Sequence, residues 1–90
     1  MNAAVITGEG TPVASSVQFV NDWTELAPKQ NEVLVKTEAS ALNHLDLWVG
    51  IGMPGLDLEY PRISGSDGCG IVSSVGDGVD ASWLGKRVLL

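Results

Sequence analysis

The sequence contains little of what metal sites and disulfides are built from. Among its 90 residues there is one cysteine, Cys69, and one histidine, His44. A single cysteine forms no disulfide within the chain, which excludes the disulfide-stapled class of small secreted domains. Zinc sites take three or four protein ligands, mostly Cys and His, so we expect no zinc site within these residues. We predict that Cys69 is a small buried apolar residue rather than a nucleophile, because no Lys or Arg flanks it in the sequence.

Positive charge is also scarce. Five Lys and Arg residues stand against eleven Asp and Glu residues, which gives a formal net charge of −6. We therefore expect no basic surface for a phosphate backbone and no nucleic-acid partner. Apolar runs such as Val33–Val35 and Val88–Leu90 are far shorter than the roughly 18 residues that span a bilayer, so no membrane partner is expected. The segment up to Gly8 lacks the positive charge of a signal peptide, and we expect a cytoplasmic protein.

Glycine is abundant, and nine of the eleven glycines lie between Gly50 and Gly85. The segments between turn-forming residues are short and favour strands. The best of these is Glu32–Glu38, where apolar and charged residues alternate, and it predicts a strand with one buried face. Further strands are predicted at Ala3–Thr7, Val17–Val20, Gly70–Val75 and Lys86–Leu90.

One helix is predicted between Asn43 and Val49, because apolar residues recur there at helical spacing. The side-chain oxygen of Asn43 is suited to cap the first turn, and Asp46 three residues later completes the pattern of a capping box. We expect Gly50 and Gly52 to end this helix. A single helix among several strands favours a mainly β fold, either a small barrel or a sandwich.

A glycine pattern at Gly76–Ala81 formally matches G-x-G-x-x-A, which cradles a pyrophosphate when a long helix follows. Here Gly85 and a predicted strand follow instead, so we interpret the segment as a hairpin-type turn. No G-x-S-x-G motif is present, and a serine hydrolase is not indicated.

Two pairs of small polar residues lie where the chain turns: Asn43 with Asp46, and Ser66 with Asp67. From local physics alone each pair is either a cap or turn former or a functional pair. Similarly, His44 is either a solvent-facing residue of the first helical turn or a functional one. The residue pattern by itself leaves these alternatives open.

The order of these elements resembles the N-terminal, GroES-like domain of the medium-chain dehydrogenase/reductase family, and the resemblance covers nearly the whole chain. It implies a partly open, GroES-like β-barrel with one short helix over residues 1–90. The segments that carry it are Ala3–Val5, Pro28 with Glu32–Lys36, Ala41–Val49, Pro61–Val72, Val75–Val79 and Gly85–Val88.

In zinc-dependent members of that family, the position of Asn43 resembles that of a cysteine ligand. The segment Gly65-Ser66-Asp67 resembles the one that supplies a histidine ligand. Amide and hydroxyl groups are poor zinc ligands. The pattern is instead similar to the quinone oxidoreductase branch. This implies hydride transfer from NADP or NAD in its reduced form to a quinone, enone or other carbonyl compound, without zinc.

The resemblance also implies roles for individual residues. Asn43, Asp46, Ser66 and Asp67 are the expected catalytic residues. Asn43 is expected either to donate to a substrate carbonyl or to hold the nicotinamide ring, and Asp46 and Asp67 either to orient other groups or to form a path for protons. His44 is expected to contact the pyrophosphate of the cofactor, and Trp48 to form a wall of the substrate cleft.

The family's dinucleotide-binding Rossmann domain follows this region and is absent from the 90 residues, whose last predicted strand runs to Leu90. We therefore expect residues 1–90 to be the catalytic, substrate-side domain of a longer, homo-oligomeric enzyme that acts on a small molecule, and to be inactive alone. Two alternatives remain at this point: a zinc-dependent alcohol dehydrogenase, and a non-enzymatic, co-chaperonin-like interaction module.

Overall fold

A computed structural model describes all residues, 1–90. Two compact units are present, and each is assembled from two separate stretches of sequence. The first unit comprises Met1–Thr24 and Leu42–Ser66, and the second comprises Glu25–Ala41 and Asp67–Leu90. Each contains one three-stranded antiparallel sheet. The predicted mainly β fold with one short helix is confirmed, and both sheets are open.

In chain order the elements are β1 (Ala3–Ile6), a 3₁₀ helix (Val13–Ser16), β2 (Val17–Val20), β3 (Val33–Ala41), α1 (His44–Ile51), β4 (Arg62–Ile63), β5 (Asp67–Val75), a second 3₁₀ helix (Ala81–Trp83) and β6 (Arg87–Leu89). The eight residues of α1 fall well short of a membrane-spanning helix, and the chain has none that is long and apolar enough.

The first unit is built around β1, which lies between β2 and β4. Because β1 has a strand on both sides, its side chains are the most enclosed in the unit: Val5 and Ile6 are buried, and Val5 lies opposite both Gln18 and Ile63. The apolar residues that the sequence predicts as the first strand therefore form the small core of this unit.

The second unit is built around β5, which lies between β3 and β6 and contributes the buried Val72. The strand predicted at Glu32–Glu38 is confirmed as β3, but the structure differs on its buried face. Val33, Leu34 and Val35 are all half-buried, and Thr37 is exposed. The reason is that β3 pairs on one side only and its register shifts between Leu34 and Val35, which interrupts the alternation of faces.

The glycine-rich segment after β5 is a turn, as predicted. Gly76 lies against the backbone carbonyl of Lys29, where a side chain has no room, and the amide of Asn31 donates to the carbonyl of Asp77. A single 3₁₀ helix follows, with Asp80 as its cap. The amide and side chain of Ser82 hold the pKa of Asp80 below its usual value. The segment has no long helix of the kind that binds a dinucleotide.

Helix α1 begins where the sequence predicts, but it ends later. Gly50 lies inside the helix and is buried, and Gly52 is the C-cap with φ of 105°. A Cβ atom at Gly50 would overlap the side chain of Val13, and the amide of Gly10 donates to the carbonyl of Gly50 at 3.0 Å. Gly50 is therefore a packing position rather than a helix terminator, and it lets residues 8–13 lie directly against α1.

This packing gives a stability prediction. An alanine inside a helix normally stabilises it by about 1 kcal/mol relative to glycine. We expect Gly50→Ala to lower the free energy of unfolding by about 1–3 kcal/mol instead, because the new methyl group overlaps Val13. Urea unfolding checks this value. Gly8→Ala is the control, since no atom outside its neighbours lies within 4 Å of a Cβ there. The cost should shrink in a Val13→Ala background, and a stabilised Gly50→Ala would contradict the prediction.

Candidate functional site

The start of α1 is held by two reciprocal hydrogen bonds. Asn43 has extended backbone, and its Oδ1 accepts from the amide of Leu45 at 3.0 Å. Asp46 Oδ2 accepts from the amide of Asn43 at 2.9 Å. These bonds satisfy backbone donors that have no partner within the helix, so the predicted capping box is confirmed.

One carboxylate oxygen of Asp46 does not take part in the cap. Its side chain is half-buried, and its second oxygen, Oδ1, is shielded from solvent without a hydrogen-bond donor. A shielded carboxylate oxygen without a donor costs free energy, since water no longer solvates it. The carboxylate is therefore fixed on one side by Asn43 and is able to accept a further donor on the other.

His44 and Trp48 lie one turn apart on α1. Their ring centroids are 4.9 Å apart in an edge-to-face arrangement. His44 is exposed, and Trp48 is 53% exposed. The helix and its N-cap thus carry four of the six predicted site residues: Asn43, His44, Asp46 and Trp48.

Ser66 and Asp67 are consecutive residues that belong to different units. Gly65 before them has φ of 98°, a conformation that favours glycine. The exposed Ser66 ends the first unit, while Asp67 begins β5 in the second, opposite Ala41. Of the six predicted site residues, Asp67 is therefore the one that belongs to the second unit.

A pocket beside Trp48 was not predicted from the sequence. It has a volume of about 240 Å³ and is lined by Trp48, Ile51, Gly52, Met53 and Pro54; we call it the α1 pocket. The sequence indicates only a loop after the helix, and the pocket lies where the helix ends at its C-cap, Gly52. The one sequence feature that could have indicated a pocket is an aromatic residue, Trp48, one turn before the segment Gly52-Met53-Pro54.

Cys69 has a neighbour that the sequence did not suggest. It is half-buried and unpaired in β5, and the antiparallel pairing with β6 brings Arg87 near it. The pKa of Arg87 is raised by its hydrogen bond and ion pair with Glu38, at 2.6 Å, and to a smaller extent by Cys69. The expectation that no cation flanks Cys69 therefore holds along the chain but not across the sheet.

The donors of this chain do not fit zinc. No three His, Cys, Asp or Glu side chains come together as a metal-binding group, and His44 and Cys69 belong to different units. The two positions that resemble ligand positions offer an amide at Asn43 and a hydroxyl at Ser66.

Residues 29–90 match the family described as the alcohol dehydrogenase GroES-like domain. The chain belongs to this family. The match covers more than half of the chain and includes α1, its cap and the Ser66 turn. The resemblance to the N-terminal domain of medium-chain dehydrogenases/reductases is thereby confirmed.

Curated relatives of this family come from both of its branches. A zinc-type alcohol dehydrogenase-like protein of Leptosphaeria maculans is 44% identical over 75 residues, which is 79% of this chain and 20% of the relative. A quinone oxidoreductase of Rattus norvegicus is 39% identical over 88 residues, or 98% of this chain and 26% of the relative. The chain therefore spans about a quarter or less of the length of the relatives it matches.

Solved structures show the same two branches. An NAD-dependent alcohol dehydrogenase superposes with a TM-score of 0.87 at 37% identity, covering 100% of this chain and 25% of that one. The quinone oxidoreductase of Escherichia coli complexed with NADPH gives 0.83 at 29% identity, covering 99% and 26%. The fold of the chain is thus that of oxidoreductases that use NAD or NADPH.

The cap geometry gives a prediction for Asp46. We expect Asp46→Ala to lower the free energy of unfolding by about 0.5–2 kcal/mol, because the amide of Asn43 loses its acceptor. Amide hydrogen exchange at Asn43 should accelerate in parallel. Asp57→Ala removes the same charge from an exposed position in the same unit and should leave both values unchanged. Equal effects of the two substitutions would contradict the capping role.

Proposed function

We propose that this chain is the substrate-side domain of a zinc-free, NAD(P)H-dependent oxidoreductase that reduces a quinone, an enone or another carbonyl compound. The observation that carries the proposal is the Asn43–Asp46 pair at the start of α1. The position of Asn43 resembles that of a cysteine ligand in zinc-dependent members of the family. Both oxidoreductase branches occur among the relatives, and the amide and hydroxyl donors of this chain favour the zinc-free one.

Reduced nicotinamide supplies the hydride in such a reaction. The contribution of this chain is to bind and orient the substrate and to stabilise charge on its oxygen. His44 fits a contact with the cofactor's pyrophosphate, because it is exposed on the first turn of α1 and an imidazole N–H donates to phosphate oxygens.

Asn43 is the proposed donor to the substrate carbonyl. Its side-chain oxygen accepts from Leu45, which holds the amide group in place at the start of α1. A fixed N–H donor stabilises the negative charge that develops on the carbonyl oxygen as hydride arrives. The cap fixes this donor in advance, which lowers the cost of orienting it during the reaction.

The other polar residues have supporting roles in this proposal. Asp46 is a positioning residue, because its carboxylate accepts from the backbone of Asn43. Ser66 and Asp67 are adjacent along the chain, and we assign them to the path by which a proton reaches the reduced oxygen. Trp48, with its half-exposed indole, forms a wall of the substrate cleft.

Two substitutions of Asn43 separate the capping role from the chemical role. Asp caps helices about as well as Asn, but its carboxylate has no N–H donor. We expect Asn43→Asp to lower kcat by about 100-fold or more, with a smaller loss of stability than Asn43→Ala because the cap is kept. Asn43→Ala should lower both, with a stability cost of about 1 kcal/mol. Full kcat in Asn43→Asp would remove the amide from the mechanism.

The proposed reaction is tested on the protein as the cell makes it. Oxidation of NADPH or NADH is followed with 1,4-benzoquinone and with 2-cyclohexen-1-one, before and after dialysis against a chelator. We expect reduction that survives dialysis, with no stoichiometric zinc in the protein. Loss of activity together with bound zinc would support the zinc-dependent alternative. No oxidation of either nucleotide would leave the non-enzymatic interaction module as the remaining alternative.

A further inference from the structure

The loop before the first 3₁₀ helix brings a carboxylate next to Gly52, at the end of α1. The side chain of Glu9 lies against Gly52, and a Cβ atom placed at Gly52 would be 2.6 Å from Glu9 Oε2. Gly52 is itself a lining residue of the pocket. The loop is held there by the hydrogen bond from the amide of Gly10 to the carbonyl of Gly50. Residues distant in sequence thus place a negative charge at the rim of an apolar cavity.

No positive charge compensates Glu9. It is exposed and has neither an ion pair nor a hydrogen bond. The first unit contains one Arg and no Lys, against five carboxylates. The C-terminal end of a helix also carries partial negative charge, and Gly52 is the C-cap of α1. The potential at this rim is therefore negative from two sources, the side chain and the helix end.

The lining of the cavity is mainly apolar. Trp48, Ile51, Met53 and Pro54 present indole, alkyl and thioether surface, and the amide of Gly52 is already bonded to the carbonyl of Trp48. A volume of about 240 Å³ is below that of pockets for drug-sized ligands, so it suits one small ring. Indole and thioether groups pack well against a flat aromatic ring.

We propose that Glu9 is a specificity-determining residue that makes the α1 pocket select uncharged, ring-containing carbonyl compounds and reject anionic ones. The inference rests on the proposed carbonyl reduction and defines the charge of its substrate. An anion that enters the cavity would exchange its solvation by water for a mainly apolar lining, and it would lie close to a negatively charged carboxylate. A neutral ring has no such cost.

The test uses two ligands that differ by one charge, acetophenone and 4-acetylbenzenesulfonate. The protein as the cell makes it is labelled with ¹⁵N at the tryptophan indoles, and the Trp48 resonance is assigned with Trp48→Phe. Acetophenone should shift the Trp48 signal, while Trp23 and Trp83 serve as internal references. We expect the sulfonate to bind at least about 10-fold more weakly at low ionic strength.

Glu9→Gln should tighten binding of the sulfonate by about 3- to 10-fold and leave that of acetophenone unchanged. About 0.5 M NaCl should remove most of the difference between the wild type and the variant, because the charge is exposed to solvent. The matched control is Asp22→Asn. It removes the same charge from the same unit, but Asp22 lines a different cavity, of about 310 Å³, next to Trp23. This control should leave the ratio of the two affinities as in the wild type.

Three results would overturn the proposal: no shift of Trp48 with acetophenone, an equal effect of Glu9→Gln on both ligands, or an effect of Asp22→Asn as large as that of Glu9→Gln. Because the readout is binding, it is independent of turnover. Selective binding without NAD(P)H oxidation would refute the proposed reaction alone, and reduction of neutral carbonyls with no effect of Glu9→Gln would refute the specificity role alone.

Discussion

The close contact between residues 8–13 and helix α1 is the constraint on which the candidate site depends. It exists because Gly50 in the helix and Gly52 at its C-cap carry no side chain. Val13 occupies the space beside Gly50, and Glu9 occupies the space beside Gly52. A glycine inside a helix is intrinsically unfavourable, so this contact is obtained at some cost in helix propensity. The contact holds residues 8–13 against the C-terminal end of α1, where the α1 pocket lies.

The other end of α1 shows how one residue serves both structure and chemistry. The oxygen of Asn43 is needed to start the helix, and its nitrogen is the group proposed to meet the substrate. The two oxygens of Asp46 also differ in role. One accepts a hydrogen bond from the backbone amide of Asn43, and the other is shielded from solvent without a donor. Such an arrangement restricts which residues are tolerated, since a replacement must satisfy the cap as well as the reaction.

Local patterns predicted the elements well and the contacts between distant segments poorly. The capping box and the bounds of β2 follow from neighbouring residues, and both are confirmed. The start of β5 was predicted at Gly70, but the strand begins at Asp67, because its pairing with β3 continues to Ala41. Glycine normally weakens a strand, but at Gly70 it is required by the close approach of Lys36. Glu9 at the pocket rim was not predictable, since no periodicity connects it with Gly52. The roles assigned to Asn43, Asp46, Ser66 and Asp67 remain predictions.

The interleaving of the two units has a consequence for synthesis on the ribosome. When β1 and β2 have emerged, they form only a two-stranded pair, which is marginal in water. Their third strand, β4, follows after β3, whose own partner β5 comes later still. The first sheet is therefore incomplete until β4 has been synthesised, and the second until β5 and β6 have followed. Pairing of strands that are distant in sequence is slow. The nascent chain carries unpaired strand edges until β4, β5 and β6 have been synthesised, and such edges favour binding by chaperones.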